Sequence, residues 1–529
     1  MKRYLTQSIL ILALFVSNHV QAKIIHVPDD SSTIQAGING ATDGDTVLVA
    51  RGHYYERINF LGKPILVASN FIFDNDTTTI DSTIIDADTS VLGISDTGSA
   101  VIFVSDEDSN AVIKGFTIQN GIGTFPQYED RSGGGIYCYA SSPTISNNTI
   151  TSNSASWGGG IFCEFYSSPT ITNNTIMSNS VNLGGGGIQC FGHSSPFIRN
   201  NAIIDNSAAA GGGIVCGNSE GTISNNTIAN NSAENGGGVS CWDSSPFIGN
   251  NTITGNSVTD YGGGISCYDF SSPTISNNTI SGNSASSGGA IWCDWSSSPS
   301  VNNNAITGNS ANYGGGIVCG RDCSSPISNN TITGNSASYV GGGIFLDWNS
   351  FPVIANNIIS NSLDGEGIYC GDESWPTIYF NDAWNNADGN FYGCPGVGDT
   401  TWGTNFNGTP CDSFYNIIRD PLFADTIDFE LLCNSPCIDA GDPGIYVPID
   451  SGGCRIDMGA HEYPYILGDA TSDFIINIGD IVIIINYLYR SGPSPCPYHA
   501  ADTNCDGEVN LADIICLINY MFRGGDLPC

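Results

Sequence analysis

The sequence predicts an all-β fold, a parallel β-helix solenoid with about 26 residues per coil, followed by a small α-helical module. Three observations predict this fold. One sequence unit recurs between residues 133 and 393, each unit contains three short β-type runs, and the composition changes at residue 466. Function is therefore expected on an elongated surface.

The recurring unit reads Gly-Gly-Gly-Ile-x-Cys, then Ser-Ser-Pro-x-Ile-x-Asn-Asn-Thr-Ile. In the first regular coil its β-type runs are residues 135–138, 143–146 and 149–151, bounded by Gly, Ser, Pro and Asn. Three strands around one core make one triangular coil. Stacked coils pair each strand with its equivalents above and below, at about 4.8 Å. Only the two ends then need caps.

Two residue types recur at fixed places in the coil. The second asparagine of each pair is expected to form a hydrogen-bonded ladder at a sharp turn, although many of these positions also read as glycosylation sequons. The cysteines of the first strand, from Cys138 to Cys319 and again at Cys370, occupy one inward slot, which Leu346 fills in one coil, so we expect stacked thiols rather than disulfides. Disulfides are expected instead among Cys394, Cys411, Cys433, Cys437, Cys454, Cys496, Cys505, Cys516 and Cys529.

The N-terminal sequence indicates where the protein is located, and the net charge limits its partners. Residues 1–22 have the basic start, apolar run and small-residue end of a signal peptide, which predicts a secreted or extracellular protein without a transmembrane anchor. The formal charge of −37, with 14 Lys and Arg, excludes nucleic acid as a main partner. An acidic surface suits divalent cations and neutral or metal-bridged ligands.

Both ends of the repeat region carry further motifs. Residues 33–36, 43–47 and 52–56 resemble the opening of secreted right-handed β-helix proteins of the pectate-lyase-like superfamily. Residues 420–423, 435–442 and 457–463 resemble their closing segment. The resemblance implies the fold, with a cap and irregular coils at 23–132, regular coils at 133–393, and final coils with a cap at 394–465.

The last segment, 466–529, contains two copies of a twelve-residue loop with oxygen ligands at calcium-binding spacing. The expected Ca²⁺ ligands are Asp469, Thr471, Asp473, Asn477 and Asp480 in the first loop, and Asp502, Asn504, Asp506, Glu508 (through its carbonyl), Asn510 and Asp513 in the second. An apolar helix follows each loop. The pair resembles a type I dockerin, which implies calcium-dependent binding to a cohesin through positions 478–479 and 511–512. Phe474 stands where the second loop has glycine, so we expect weaker binding there.

Aromatic and acidic side chains recur along the first strand and its flanking turns. The resemblance implies a groove there, and aromatic faces stack on sugar rings. The expected substrate-binding residues are Trp157, Phe162, Trp242, Tyr268, Trp292, Tyr313 and Arg321. Carboxylates one coil apart approach the spacing of retaining glycosidases, which makes Asp243, Asp269 and Asp294 candidates for catalysis. Duplication of the repeat unit alone also produces such rows of carboxylates. Arg321 also fits an exposed salt bridge in a turn.

Two hypotheses remain open. The first is a secreted protein that engages a polysaccharide, as a lyase or glycoside hydrolase or without cleavage, and is tethered by its dockerin to a cohesin-bearing scaffold or cell surface. The second is a noncatalytic adhesion protein or structural spacer, which the near-uniform coils favour. The sequence leaves the sugar, and whether any O-glycosidic bond is broken, undetermined.

Overall fold

The computed structural model describes residues 22–92, 98–125, 130–371, 373–444 and 455–524. Residues 1–21 of the expected signal peptide lie outside this part of the chain. Three long sheets wind around one axis in the described residues, with 14, 13 and 13 strands. Their neighbours pair in parallel, coil upon coil. The predicted parallel β-helix is confirmed.

Sheet 1 carries the Ile-x-Cys strands, sheet 2 follows the Ser-Ser-Pro turn, and sheet 3 follows the asparagine pair. Sheet 1 consists of Ile58–Asn59, Val101–Phe103, Ile136–Tyr139, Ile161–Glu164, Ile188–Phe191, Ile214–Gly217, Val239–Trp242, Ile265–Tyr268, Ile291–Cys293, Ile317–Cys319, Ile344–Leu346, Ile368–Cys370 and Phe391–Tyr392. Sheet 2 consists of Ile24–Val27, Thr46–Val49, Leu66–Ser69, Val112–Lys114, Thr144–Ser146, Thr170–Thr172, Phe197–Arg199, Thr222–Ser224, Phe247–Gly249, Thr274–Ser276, Ser300–Asn302, Pro326–Ser328, Val353–Ala355 and Thr377–Tyr379. Sheet 3 consists of Gly52–Tyr55, Thr83–Asp86, Thr117–Gln119, Thr149–Thr151, Thr175–Met177, Ala202–Ile204, Thr227–Ala229, Thr252–Thr254, Thr279–Ser281, Ala305–Thr307, Thr331–Thr333, Ile358–Ser360 and Asp382–Trp384.

Short strands and helices complete the described chain. The short parallel pairs are Ser154–Trp157 with Ser180–Gly184, Ser232–Asn235 with Ser257–Tyr261, and Ser310–Tyr313 with Ser336–Val340, while Gly403–Thr404 pairs with Pro410–Cys411 in antiparallel fashion. The helices are Ile34–Gly40, Phe71–Asp74, Thr77–Asp81, Thr89–Leu92, Ile478–Arg490 and Leu511–Arg523, with a 3₁₀ turn at Tyr498–Ala501. Within the described residues, no helix is both long and apolar enough to cross a membrane.

The core is a stack of like side chains. Most regular coils point an isoleucine inward from every sheet, such as Ile136, Ile145 and Ile150, all fully buried, and a valine takes this place at Val239 and Val301. At the N-terminal end the helix Ile34–Gly40 buries Ile34 and Ile38 against the first strands. This helix covers the open end of the stack, as expected of a cap.

Two asparagine ladders run along the β-helix. The predicted ladder is present: the Nδ2 of Asn226 donates to the Oδ1 of Asn251 at 3.0 Å, and Asn251 donates likewise to Asn278. A second ladder, which the sequence did not reveal, lies at the turn after sheet 3. Its members are Asn153, Asn179, Asn206, Asn231, Asn256, Asn283, Asn309 and Asn335. The ladders satisfy backbone groups at two of the coil's turns.

The cysteines of sheet 1 form the expected column. Those from Cys138 to Cys319 are buried free thiols. Hydrogen bonding to Cys190 and burial raise the pKa of the Cys216 thiol well above its ordinary value. One correction applies, because Cys370, assigned to this column, forms a disulfide with Cys394. A second disulfide joins Cys433 to Cys496, both in the set expected to form disulfides.

A buried carboxyl near the C-terminal end predicts a pH-dependent stability. Asp382 is fully buried, accepts the Arg419 backbone N–H at 3.1 Å, and its pKa is raised by burial to about 8. Folding therefore takes up a proton between the ordinary pKa of 3.8 and about 8, so stability falls as pH rises through that window. We expect a decrease of about 1 kcal/mol per pH unit between pH 5 and 8, measured by urea unfolding. Asp382→Asn should flatten that slope, and an unchanged slope would contradict the assignment.

Candidate functional site

The outward face of sheet 1 is packed rather than open. Tyr137, Phe162 and Trp292 point outward but are only 3%, 4% and 6% exposed. Aromatic rings from the turn before the glycine cluster lie on this face; the Tyr261 ring stacks on Trp292 with centroids 4.5 Å apart. The open groove expected along the whole face is therefore absent from these coils of the described chain. Access is local.

An apolar pocket lies on this face. It has a volume of about 330 Å³. Its walls are Trp157, Phe162, Phe191 and Trp242, with Glu164, Gln189, Asp130 and Ser132 completing the lining. Three of the seven expected substrate-binding residues thus come together. Gln189 and Phe191 lie on the face where the groove was expected, but the expected substrate-binding set did not include them.

A missing side chain creates the pocket. Phe191, Gly217 and Trp242 are successive partners in the register of sheet 1. A Cβ atom at Gly217 would collide with the Trp242 indole, so the glycine lets the indole lie across its backbone. The indole reaches toward Phe191, with ring centroids 5.7 Å apart. The break in the repeat at Gly217 was the signal available in the sequence.

Two polar groups of the pocket wall carry acceptor oxygens. Glu164 accepts from the Tyr137 hydroxyl at 2.8 Å, and burial raises the pKa of the Glu164 carboxyl above its ordinary value. Gln189 is 2% exposed, and its Oε1 is buried without a hydrogen-bond partner. That oxygen lies beside Gly184 and Gly185, inside the wall, so the carboxyl groups of Glu164 and Asp130 are the acceptors that line the pocket.

The other expected substrate-binding residues lie elsewhere. Tyr268 packs against a small cluster of Trp292, Val318 and Phe345, outside the pocket. Tyr313 is 40% exposed, with its ring 5.9 Å from that of Phe345. These aromatic side chains build a stiff surface along sheet 1, and the pocket does not include them.

The three expected catalytic carboxylates have different environments. Asp243 and Asp269 are exposed turn residues with φ of +47° and +50°, and the Asp243 N–H donates to the carbonyl of Asp269. Asp294 is 1% exposed, and it directly follows the column cysteine Cys293, whereas Asp243 and Asp269 stand two residues after theirs. It accepts the backbone N–H groups of Trp295 and Arg321 at 2.9 and 2.6 Å. The three carboxylates therefore do not form one equivalent stripe.

Arg321 pairs with Asp294. Its Nη2 lies 2.9 Å from Asp294 Oδ2, and its guanidinium lies 4.2 Å from the Trp295 ring centroid. These contacts are those of a turn salt bridge that closes over a buried carboxylate. In this arrangement Arg321 is occupied by the protein itself.

This pair predicts a stability effect. Arg321→Leu should destabilise the protein by about 1–3 kcal/mol, because it leaves the buried Asp294 carboxylate without its counterion. Thermal and urea unfolding would measure the loss, with Arg199→Leu, at an arginine that lies over Phe197, as the matched control. Adding Asp294→Asn should restore much of the loss. Equal effects of Arg321→Leu and Arg199→Leu would refute the pairing argument.

The two expected calcium loops have similar geometry. In the second loop Asp502 and Asp513 are fully buried; Asp502 accepts the N–H groups of Asp506 and Gly507, at 3.1 and 2.7 Å. Burial, with the nearby charges of Asp513 and Asp506, raises the pKa of Asp502 to about 6. Converging buried carboxylates of this kind fit a cation.

The first loop repeats this arrangement. Asp469 and Asp480 are buried, and the Thr471 hydroxyl lies within hydrogen-bond distance of a carboxylate oxygen of each. Phe474 has φ of +62°, where the second loop has Gly507 at +90°. Among the described residues no three His, Cys, Asp or Glu side chains cluster closely enough to hold a metal. The expected ligand sets also include Thr, Asn and carbonyl oxygens, and they remain predictions.

The comparisons agree with this architecture. The family model "Right handed beta helix region" matches residues 70–280 and 237–409, together more than half of the chain. The chain belongs to this family. The model "Dockerin type I domain" matches residues 467–522, so the C-terminal region, with its two helices, is a dockerin domain.

A search of curated proteins found no significant match. Among solved structures the chain is similar to one titled "Crystal structure of pectate lyase Pel9A", at 14% identity and a TM-score of 0.33 over 83% of this chain and 96% of that one. This likeness is too low to support an argument about this right-handed β-helix protein. The proposals below depend on its own residues.

Proposed function

We propose that this right-handed β-helix protein is exported and engages a polysaccharide, while its dockerin holds it on a cohesin-bearing scaffold or cell surface in a calcium-dependent manner. The observation that carries the proposal is the aromatic-walled pocket at Trp157, Phe162 and Trp242 on a chain that also contains a dockerin domain. Aromatic faces with a few polar groups are typical of sugar sites.

The dockerin helices support the tethering part. Ile478 and Leu511, which begin the two helices, are 64% and 54% exposed. One turn further along, Val482 and Ile515 are 48% and 51% exposed. Each helix thus offers an apolar patch at the positions expected to contact a cohesin, and calcium on Asp469–Asp480 and Asp502–Asp513 would fix both helix starts.

Two interpretations of this protein differ in whether it is catalytic. A glycoside hydrolase or lyase needs an acid or base beside the bound sugar, and Glu164, whose pKa is raised and which accepts a hydrogen bond from Tyr137, is a carboxyl group in the pocket. A noncatalytic adhesion or spacer protein is favoured by the uniform ladders and by the Asp294–Arg321 pair, which removes one expected carboxylate from reaction. Asp243 and Asp269, the other two expected catalytic residues, are exposed on the edge of sheet 1.

Two assays test the proposal. The full-length secreted protein is screened against polysaccharides for binding, for new reducing ends and for unsaturated uronates, and it is used to capture type I cohesins with and without EGTA. We expect polysaccharide binding, and cohesin capture that EGTA abolishes. Binding without product would select the noncatalytic reading. Failure to bind any polysaccharide, or capture that ignores calcium removal, would refute the corresponding half.

A further inference from the structure

We propose that the pocket selects an uncharged sugar ring and excludes uronates. The inference deepens the proposed function and rests on it. The pocket is defined by Trp157, Phe162, Phe191 and Trp242 as walls, and by Glu164 and Gln189 as polar groups. Its volume of about 330 Å³ lies at the small end of ligand sites, which suits one or two sugar rings at a chain end.

Charge is the first argument. The side chains of Glu164 and Asp130 carry carboxyl groups, and no lysine, arginine or histidine is among the described residues that line the pocket. The nearby Arg131 does not line it and lies over the Phe125 ring, 5.5 Å from the centroid. A uronate carboxylate would lose its hydration without gaining a cation, inside a chain of formal charge −37.

Hydrogen bonding is the second argument. The carboxyl groups of Glu164 and Asp130 line the pocket, and Glu164 accepts from the Tyr137 hydroxyl. The hydroxyls of a neutral pyranose can donate hydrogen bonds to these carboxyl oxygens, whereas an ionised carboxylate only accepts them. The acceptors that line the pocket therefore match hydroxyls of the ligand.

Shape is the third argument. Trp242 occupies the gap that Gly217 leaves in its column, so the indole forms a wall opposite Trp157 and Phe162. The C–H face of a pyranose ring stacks on such an aromatic wall. In the other coils of sheet 1 the matching place carries side chains such as Tyr139 and Tyr268. Glycine recurs there at Gly320 and Gly371, but these lie against Asp294 and Asp347 and not against an indole. The pocket is thus specific to these coils.

The test is a binding comparison with full-length protein in calcium. The probes are cellohexaose, xylohexaose and mannohexaose as neutral chains, and hexagalacturonate as the uronate, measured by calorimetry. We expect at least one neutral chain to bind, at least tenfold more weakly to Trp242→Ala, and with unchanged affinity to Trp402→Ala, an exposed tryptophan in the C-terminal region. Hexagalacturonate should neither bind in the pocket nor displace the neutral chain.

Two further variants keep the result interpretable. Glu164→Leu should weaken neutral-sugar binding about 2- to 10-fold, because it removes an acceptor for a ligand hydroxyl, and it should also lower the melting temperature, because the Tyr137 hydroxyl loses its partner. Its neighbours in the column, Tyr139 and Phe191, show that a large apolar side chain fits there. Gly217→Val should displace the indole and reproduce the Trp242→Ala loss without altering a lining residue.

The outcomes distinguish a failure of the selectivity for uncharged sugars from a failure of the proposed function. Hexagalacturonate binding that Trp242→Ala abolishes would overturn the selectivity for uncharged sugars and leave polysaccharide engagement intact. Neutral-sugar binding that survives both Trp242→Ala and Gly217→Val would also overturn the assignment of the pocket. The absence of any glycan binding would instead refute the proposed function itself.

Discussion

Replacing Asn251 with alanine is expected to destabilise the β-helix by about 3–5 kcal/mol, since several buried groups lose partners at once. The Oδ1 of Asn251 accepts from the backbone N–H and the Nδ2 of Asn226, at 2.9 and 3.0 Å. Its Nδ2 donates to the Ile223 carbonyl and to Asn278, at 2.9 and 3.0 Å. Alanine supplies none of these contacts, and the site has no direct access to water.

The neighbouring asparagine is the matched control for this prediction. Asn250 is exposed and has φ of +57°, a conformation that glycine adopts without strain. Asn250→Gly should therefore change the free energy of unfolding by less than about 1 kcal/mol. Urea unfolding of both variants and of the parent protein measures the difference. Similar losses for Asn250→Gly and Asn251→Ala would mean that the ladder does not stabilise the fold.

The winding of the chain could be predicted because a solenoid stacks each residue on its own equivalent. The interval of about 26 residues therefore becomes a column in space, as Cys138 on Cys163 and Ile145 on Ile171 show. The second ladder was missed because its asparagines stand singly before serine, as Asn153 does, and only the turn geometry places them inward.

The site was less predictable, because strand alternation gives the direction of a side chain but not what lies above it. Phe162 and Trp292 do point outward, yet chain from the turn before the glycines covers that face. The stripe of carboxylates depended on equivalent positions in the coil, but Asp294 directly follows its column cysteine, whereas Asp243 and Asp269 stand two residues after theirs. The pocket arises from Gly217, a single small residue whose effect depends on a tryptophan one coil away.

Removal of calcium is expected to unfold the dockerin while the β-helix stays intact. In the second loop Asp513 has two roles: it is an expected calcium ligand, and its Oδ2 accepts the Asn510 N–H at 2.7 Å at the start of the helix Leu511–Arg523. The Asn510 side chain in turn accepts from Ala512. Without a cation, the buried carboxylates of Asp502 and Asp513 repel each other at the point where this helix begins.

Circular dichroism at 222 nm reports this unfolding, because the two long helices of the described chain both belong to the dockerin. We expect EGTA to remove most of that helical signal. A calcium concentration of about 1,000 times Kd should stabilise the module by about 4 kcal/mol.

Asp513→Ala should mimic EGTA for the second loop and lower its calcium affinity at least 100-fold, because it removes both a ligand and the helix cap. The control is Glu508→Ala, which removes an acidic side chain from the same loop but keeps the backbone carbonyl expected to bind calcium, so calorimetry should show a change of less than about threefold. Comparable losses for Asp513→Ala and Glu508→Ala would show that general negative charge, rather than the ligand geometry of the loop, holds the ion.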